Sequence, residues 1–200
     1  MTFRKPVPLL EAIEAEELSA DHYGAYLILV KQPNRAGYLP YYVGKGWIRE
    51  RLCRHVTSWL GGAYSIWDIN KVDTWGAGVT TYQTVKEAGD NVLYAYFPGK
   101  SNLQTCYHEL SQFVAHCAAS ARTFVQECLY VSYLPLVGLD EEMRSLGASY
   151  AEGKMIEEFA KHFRLANGRK EAMPAEAGIE QGVLDAVSGV IDEYASERRA

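Results

Sequence analysis

Tyr38-Leu-Pro-Tyr-Tyr-Val-Gly-Lys-Gly-Trp-Ile-Arg-Glu-Arg-Leu-Cys-Arg-His55 is the stretch that decides how this chain folds. The apolar run from Leu39 to Val43 breaks at Gly44-Lys45-Gly46. A helical pattern follows, with Ile48, Leu52, Val56 and Trp59 recurring at three- and four-residue steps. The order predicts a strand, a tight glycine turn and a helix from about 47 to 60. Gly61-Gly62 is a stop signal for that helix. Arg51 and His55 are four residues apart, so they project from one helix face, away from the apolar stripe. Tyr42 sits on the strand that feeds the turn. A tyrosine, an arginine and a histidine therefore meet at one corner. Arginine offers a planar fork for phosphate oxygens, and tyrosine and histidine can carry protons.

Upstream, Tyr23-Gly-Ala-Tyr-Leu-Ile-Leu-Val30 is a second apolar run. The turn-rich link from Gln32 to Gly37 joins the two runs most simply as an antiparallel hairpin. Gly24-Ala25-Tyr26 and Tyr42-Val43-Gly44, with Arg51 and then His55 on the next helix, together resemble the GIY-YIG nuclease family. Each tripeptide is common in apolar strands, whereas the ordered set at this helix spacing is more specific. Lys45-Gly46 also looks like several members.

The resemblance implies an α+β fold: a small, mainly antiparallel three-stranded sheet flanked by helices. The family's third strand would be Cys128 to Val137. Its metal-binding glutamate would be Glu152, in a helical stretch from Asp140 to Arg164 with a candidate break near Gly147. Glu142 and Glu157 are rival carboxylates on that stretch, because periodicity does not fix the register. Asn167 is similar to an asparagine the family carries after this helix. The core would then span about 20–62 and 128–170. Residues 63–127 read as an inserted αβ elaboration, including a helix from 103 to 127. A C-terminal helix occupies about 178–196, and all of this forms a single domain. Residues 7–18 suit a short amphipathic helix through Leu10, Ile13 and Leu18.

The implied activity is divalent-metal-dependent hydrolysis of DNA. Glu152 would hold Mg2+ (or Mn2+), and Arg51 would contact the scissile phosphate. Tyr26 would take a proton from water with help from His55, and Tyr42 would orient water. Lys45, Arg49, Arg54 and Asn167 are the candidate substrate contacts. Among roles, a restriction-like or phage-defence enzyme fits a chain without an evident helicase or recognition repeat.

The formal charge is −5, which is unhelpful for gripping DNA broadly. The distribution is more telling. From Lys31 to His55 the cations are Lys31, Arg35, Lys45, Arg49, Arg51 and Arg54 against Glu50 alone, a local +5. No run approaches the roughly 20 apolar residues that span a bilayer. With no apolar signal core at the N-terminus, a cytoplasmic location is expected. The four cysteines form no C-x-x-C pair, so free thiols are expected. Two other readings stand beside the nuclease. One is a non-catalytic nucleic-acid-binding module on the same fold. The other is a zinc protein using Cys106, His108, His116 and Cys117. The apolar stripe at Val183, Leu184, Val187, Val190 and Ile191 is a candidate homodimer surface.

Overall fold

A computed structural model describes residues 1–32, 36–60, 66, 121–163, 165–167 and 172–196. The expected elaboration at 63–127, with its Cys/His cluster, lies almost entirely outside them. The expected stop at Gly61-Gly62 lies outside them as well. The elements run β1 (Val7–Pro8), α1 (Leu9–Glu14), β2 (Tyr23–Val30), β3 (Leu39–Trp47), α2 (Ile48–Leu60), β4 (Leu129–Pro135), α3 (Glu141–Phe159) and α4 (Gln181–Ser196). A π-helical turn, Phe124–Cys128, leads into β4.

The sheet order is β1-β4-β2-β3, with every neighbouring pair antiparallel. Among the described residues it therefore has four strands rather than the three expected. The extra one is Val7–Pro8, which opens the segment expected to be helical throughout. Its two residues pair with Val131 and Tyr130. The helix that follows is confined to Leu9–Glu14, with Leu9 and Ala12 buried.

Strand β2 lies at the centre, and Gly24 to Val30 are all buried. Both of its faces are covered, so it reads as a continuous apolar run rather than an alternating one. Alternation nevertheless sorts its side chains. Tyr26, Ile28 and Val30 face α1, α2 and the π-helical turn. Ala25, Leu27 and Leu29 face α3 and α4. On that second side Ala148, Ala151, Met155 and Phe159 of α3 close over the sheet, and Val183, Val187, Val190 and Tyr194 of α4 close over α3. The stripe expected to serve a dimer is thus largely spent inside the chain; Leu184 and Ile191 remain half-buried at its margin. Gly147 does not interrupt α3. Asp140 caps this helix by accepting from the Met143 N–H at 2.8 Å.

The hairpin is as expected, but its second strand does not break at the glycines. β3 runs through Gly44-Lys45-Gly46 and passes into α2 at Ile48. Gly46, at φ +124°, makes that junction in a region side-chain-bearing residues rarely adopt. A bulge lies earlier in the strand: Ile28 pairs with Tyr42 and Leu29 with Pro40, leaving Tyr41 as the extra residue. The extra residue puts both tyrosines on the α2 side. Tyr41 is buried against Trp59 and Phe124, with ring centroids 6.1 and 5.5 Å away. Tyr42 is left to line the site.

β3 is an edge strand, and unpaired edges invite aggregation. Its outer edge is covered by the segment after α3. The Ala166 N–H donates to the Tyr41 carbonyl at 2.7 Å. The Asn167 amide pairs with both the N–H and the C=O of Val43, at 3.0 and 2.7 Å.

Among the described residues, no helix is long and apolar enough to cross a membrane.

Candidate active site

The site forms where β2, β3, α2 and α3 meet. Tyr26 pairs with Gly44 across the hairpin. Its ring lies over that glycine: a Cβ built on Gly44 would stand 2.3 Å from both Cζ and Oη of Tyr26. The missing side chain lets the phenol cross β3 towards the sheet edge. Tyr42 stacks near it, with centroids 6.4 Å apart.

Helix α2 supplies the other two groups, but His55 lies on the buried stripe with Ile48, Leu52 and Trp59 rather than away from it, and Val56, expected on that stripe, is half-buried. His55 is buried, with Nε2 2.7 Å from Tyr26 Oη. Its ring meets Tyr42 edge-on at 4.6 Å. The Arg51 guanidinium lies within reach of both phenolic oxygens, close enough for each to act on its charge. Its Nε has no acceptor among the described residues, so the guanidinium retains a donor beyond those the phenols use.

Glu152 approaches from the opposite layer. Lys45 points to the α3 side of β3, and its Nζ lies 3.3 Å from Glu152 Oε2 and 3.1 Å from Ser149 Oγ. Glu152 is also near enough to Tyr26 to act on its ionisation. Glu152 thus lies on the α3 side of β3, and the Tyr26 ring lies over Gly44 of the same strand on the α2 side. Of the rival carboxylates, Glu142 lines an open groove at the start of α3. Glu157 is half-buried further along the same helix.

The electrostatics follow from burial. Tyr26 is held above its ordinary value of 10, first by desolvation and then by Tyr42 and Glu152; Arg51 opposes the rise. It keeps its proton at neutral pH. His55 is pulled down to about 4, chiefly by burial and then by Arg51 and Arg54. It is neutral, and the tautomer that carries its proton on Nδ1 is the one whose Nε2 accepts from the Tyr26 hydroxyl. Burial works against the charge on Arg51, but the two tyrosines outweigh it and raise its pKa.

A consequence for stability can be measured. The folded-state pKa of His55 lies below its unfolded value of 6.5. Between those values the unfolded chain binds a proton that the folded chain refuses. Stability is therefore complete above pH 6.5 and falls as the pH drops towards 4. At about 1.4 kcal/mol per pKa unit the loss reaches about 3 kcal/mol. Urea unfolding at pH 7.5 and 4.5 should show it. His55→Gln should remove most of the pH dependence, and an unchanged slope in that variant would count against a buried neutral imidazole.

The remaining candidates lie elsewhere. Arg54 is exposed and pairs with Glu50 at 2.6 Å, one helical turn back. Arg49 is half-buried on the first turn of α2. Lys31 sits over the Tyr130 ring at 5.5 Å. Arg35 is outside the described residues. Asn167, expected at the substrate, instead holds the backbone of Val43, between Tyr42 and Gly44. The positive patch read from the sequence is thus partly neutralised, and Arg51 is the cation placed among the tyrosines. Sequence reasoning missed the Lys45–Glu152 pair, because nothing local links two positions so far apart in the chain.

Among the described residues no three His, Cys, Asp or Glu side chains gather into an all-protein metal cage. Magnesium needs none: it keeps several waters and takes one or two carboxylates. Glu152 is a hard oxygen donor, partly buried and already matched to a cation, so this position suits a positive charge. No family model, curated protein or solved structure matches the chain.

Proposed function

We propose that this protein is a magnesium-dependent endonuclease that hydrolyses phosphodiester bonds in DNA, a GIY-YIG nuclease by resemblance. The observation that carries the reading is the cluster of Tyr26, Tyr42, Arg51 and His55 on the α2 side of the hairpin, with Glu152 on the other side of β3 and close enough to raise the pKa of Tyr26. Three separate stretches of chain supply them, and packing alone does not ask for that combination.

Arg51 binds the scissile phosphate and stabilises the charge that builds on its oxygens. Tyr26 lies between the attacking water and His55. It is too weakly acidic to wait as a phenolate, so it acts as a relay. It receives the water's proton as its own passes to His55 Nε2, 2.7 Å away. An imidazole with a pKa near 4 is a weak base. The negative charge of a bound phosphate offsets the pull of Arg51 and Arg54 and raises it. Tyr42 holds the water in line, and Lys45 gives up its contact with Glu152 for the substrate phosphate, which leaves the carboxylate to the metal. Glu152 would hold magnesium, which supplies Lewis-acid stabilisation of the phosphate and leaving oxygens. The oxygen–phosphorus bond to water forms, the bond to the leaving nucleotide breaks, and that oxygen takes a proton from solvent.

One observation favours a second reading, a non-catalytic nucleic-acid-binding module. Glu152 is already paired with Lys45. If that pair persists, the carboxylate never takes a metal. Supercoiled plasmid with magnesium, with EDTA, and with Glu152→Ala separates the two. The nuclease nicks only with metal and an intact Glu152, whereas the module binds and never nicks.

A further inference from the structure

Two residues beyond Lys45, β3 ends at Trp47, which keeps 42% of its surface exposed. An indole this exposed is unusual beside so much available core. Tyr23 braces it edge-on, with centroids 5.3 Å apart at 84°. The Arg144 guanidinium lies over its ring, 5.9 Å from the centroid. No carboxylate of the described residues pairs with Arg144, and its Nε has no acceptor among them. An accessible aromatic surface thus adjoins a cation not committed to an acid.

The placement relative to the site is regular. Lys45 and Trp47 pair with Ala25 and Tyr23 of β2, so they face the same side of the sheet. Two strand residues span about 7 Å. On α3, Arg144 and Ser149 are five residues apart, again about 7 Å. The contacts Trp47–Arg144 and Lys45–Ser149 are therefore successive rungs between one strand and one helix, and Glu152 also touches the Lys45 rung. An open groove runs along α3 from Glu141 and Glu142 to Ser149 of the Lys45 rung.

We propose that Trp47 and Arg144 form a nucleotide subsite: the indole stacks an unpaired base and the guanidinium binds that nucleotide's phosphate. A base inside a duplex has no free face for the indole. The subsite therefore selects DNA with an unpaired nucleotide next to the scissile phosphate. That last step, the position relative to the cut, rests on the proposed nuclease reading; the stacking does not.

The test is binding without metal, so it is independent of cleavage. Fluorescein-labelled dT12, a 12-residue abasic oligonucleotide of equal charge, and a blunt duplex are titrated in EDTA. Wild type should bind dT12 about tenfold more tightly than the abasic strand, the size expected for one stacked base. Trp47→Ala should bring the two to equal affinity, and Trp47→Phe should retain most of the preference. Arg144→Ala should weaken both single strands alike. Thermal melting checks the fold of each variant. Should Trp47→Ala not fold, the wild-type comparison of dT12 with the abasic strand and Trp47→Phe still decide. Equal wild-type affinity for the two strands, no binding to either, a preference for the duplex, or a preference unaffected by Trp47→Ala would each overturn the subsite. Loss of plasmid nicking with an intact dT12 preference would instead overturn only the nuclease reading.

Discussion

Arg51→Ala should lower magnesium-dependent cleavage by about a hundred- to a thousandfold, the range for removing one preorganised donor from a developing anion. The fold should survive the change. Arg51 lies on α2 outside the apolar stripe, which Ile48, Leu52 and Trp59 carry. What the protein loses is the contact of the guanidinium with the two phenols and the field that opposes the raised pKa of Tyr26. A charge-assisted hydrogen bond contributes about 1.5–3 kcal/mol when fully formed. The half-exposed setting of this guanidinium places the stability loss at or below the low end. Arg51→Lys should recover little, because an ammonium cannot serve two phenols and a phosphate with a planar fork. Single-turnover cleavage with parallel melting curves measures both effects. A variant that melts normally and cuts at the wild-type rate would remove Arg51 from the mechanism.

The second large effect distinguishes the glycines of the hairpin. Gly24 and Gly44 both face close neighbours, but of different kinds. A Cβ on Gly24 would stand 2.0 Å from the Leu134 carbonyl oxygen, in the backbone of the adjoining strand. That strand is held in register with β2 along its whole length and with β1 at Tyr130 and Val131, so it has little room to retreat. Gly24→Ala should therefore cost about 3 kcal/mol or more, the upper range for overpacking. In a chain of this size that lowers Tm by about 10 °C. On Gly44 the Cβ meets only the end of the Tyr26 side chain. Gly44→Ala should displace the phenol, abolish cleavage and cost less stability than Gly24→Ala. Removing the obstructing ring should relieve it: Gly44→Ala in a Tyr26→Ala background should cost under about 1 kcal/mol. Equal destabilisation by Gly44→Ala in both backgrounds would mean that Tyr26 does not lie over Gly44.

Much of this geometry was legible in the sequence because it is local. The four-residue step from Arg51 to His55 places both side chains towards the tyrosines. Two apolar runs with a turn between them make a hairpin. What escaped was set by partners distant in the chain. Val7–Pro8 is too short to show a period and is a strand only because Val131 and Tyr130 are beside it. The glycines at 44 and 46 look like a turn, yet β2 keeps pairing with β3 through them. Gly44 is there for the Tyr26 ring, not for a bend. The bulge at Tyr41, which turns two consecutive tyrosines to one side, leaves no local signature. The position of Glu152 opposite Lys45 required the packing of α3 on the sheet, which periodicity alone does not orient. Asn167 shows the same limit: a side chain expected to meet substrate is used to cover an edge strand.

The most direct measurement starts from a complex of this protein with supercoiled plasmid formed in EDTA, to which excess magnesium is then added. The account requires binding before the addition and nicked circles after it, with Glu152→Ala bound but uncut. Plasmid that stays bound and supercoiled in both magnesium and manganese would contradict it.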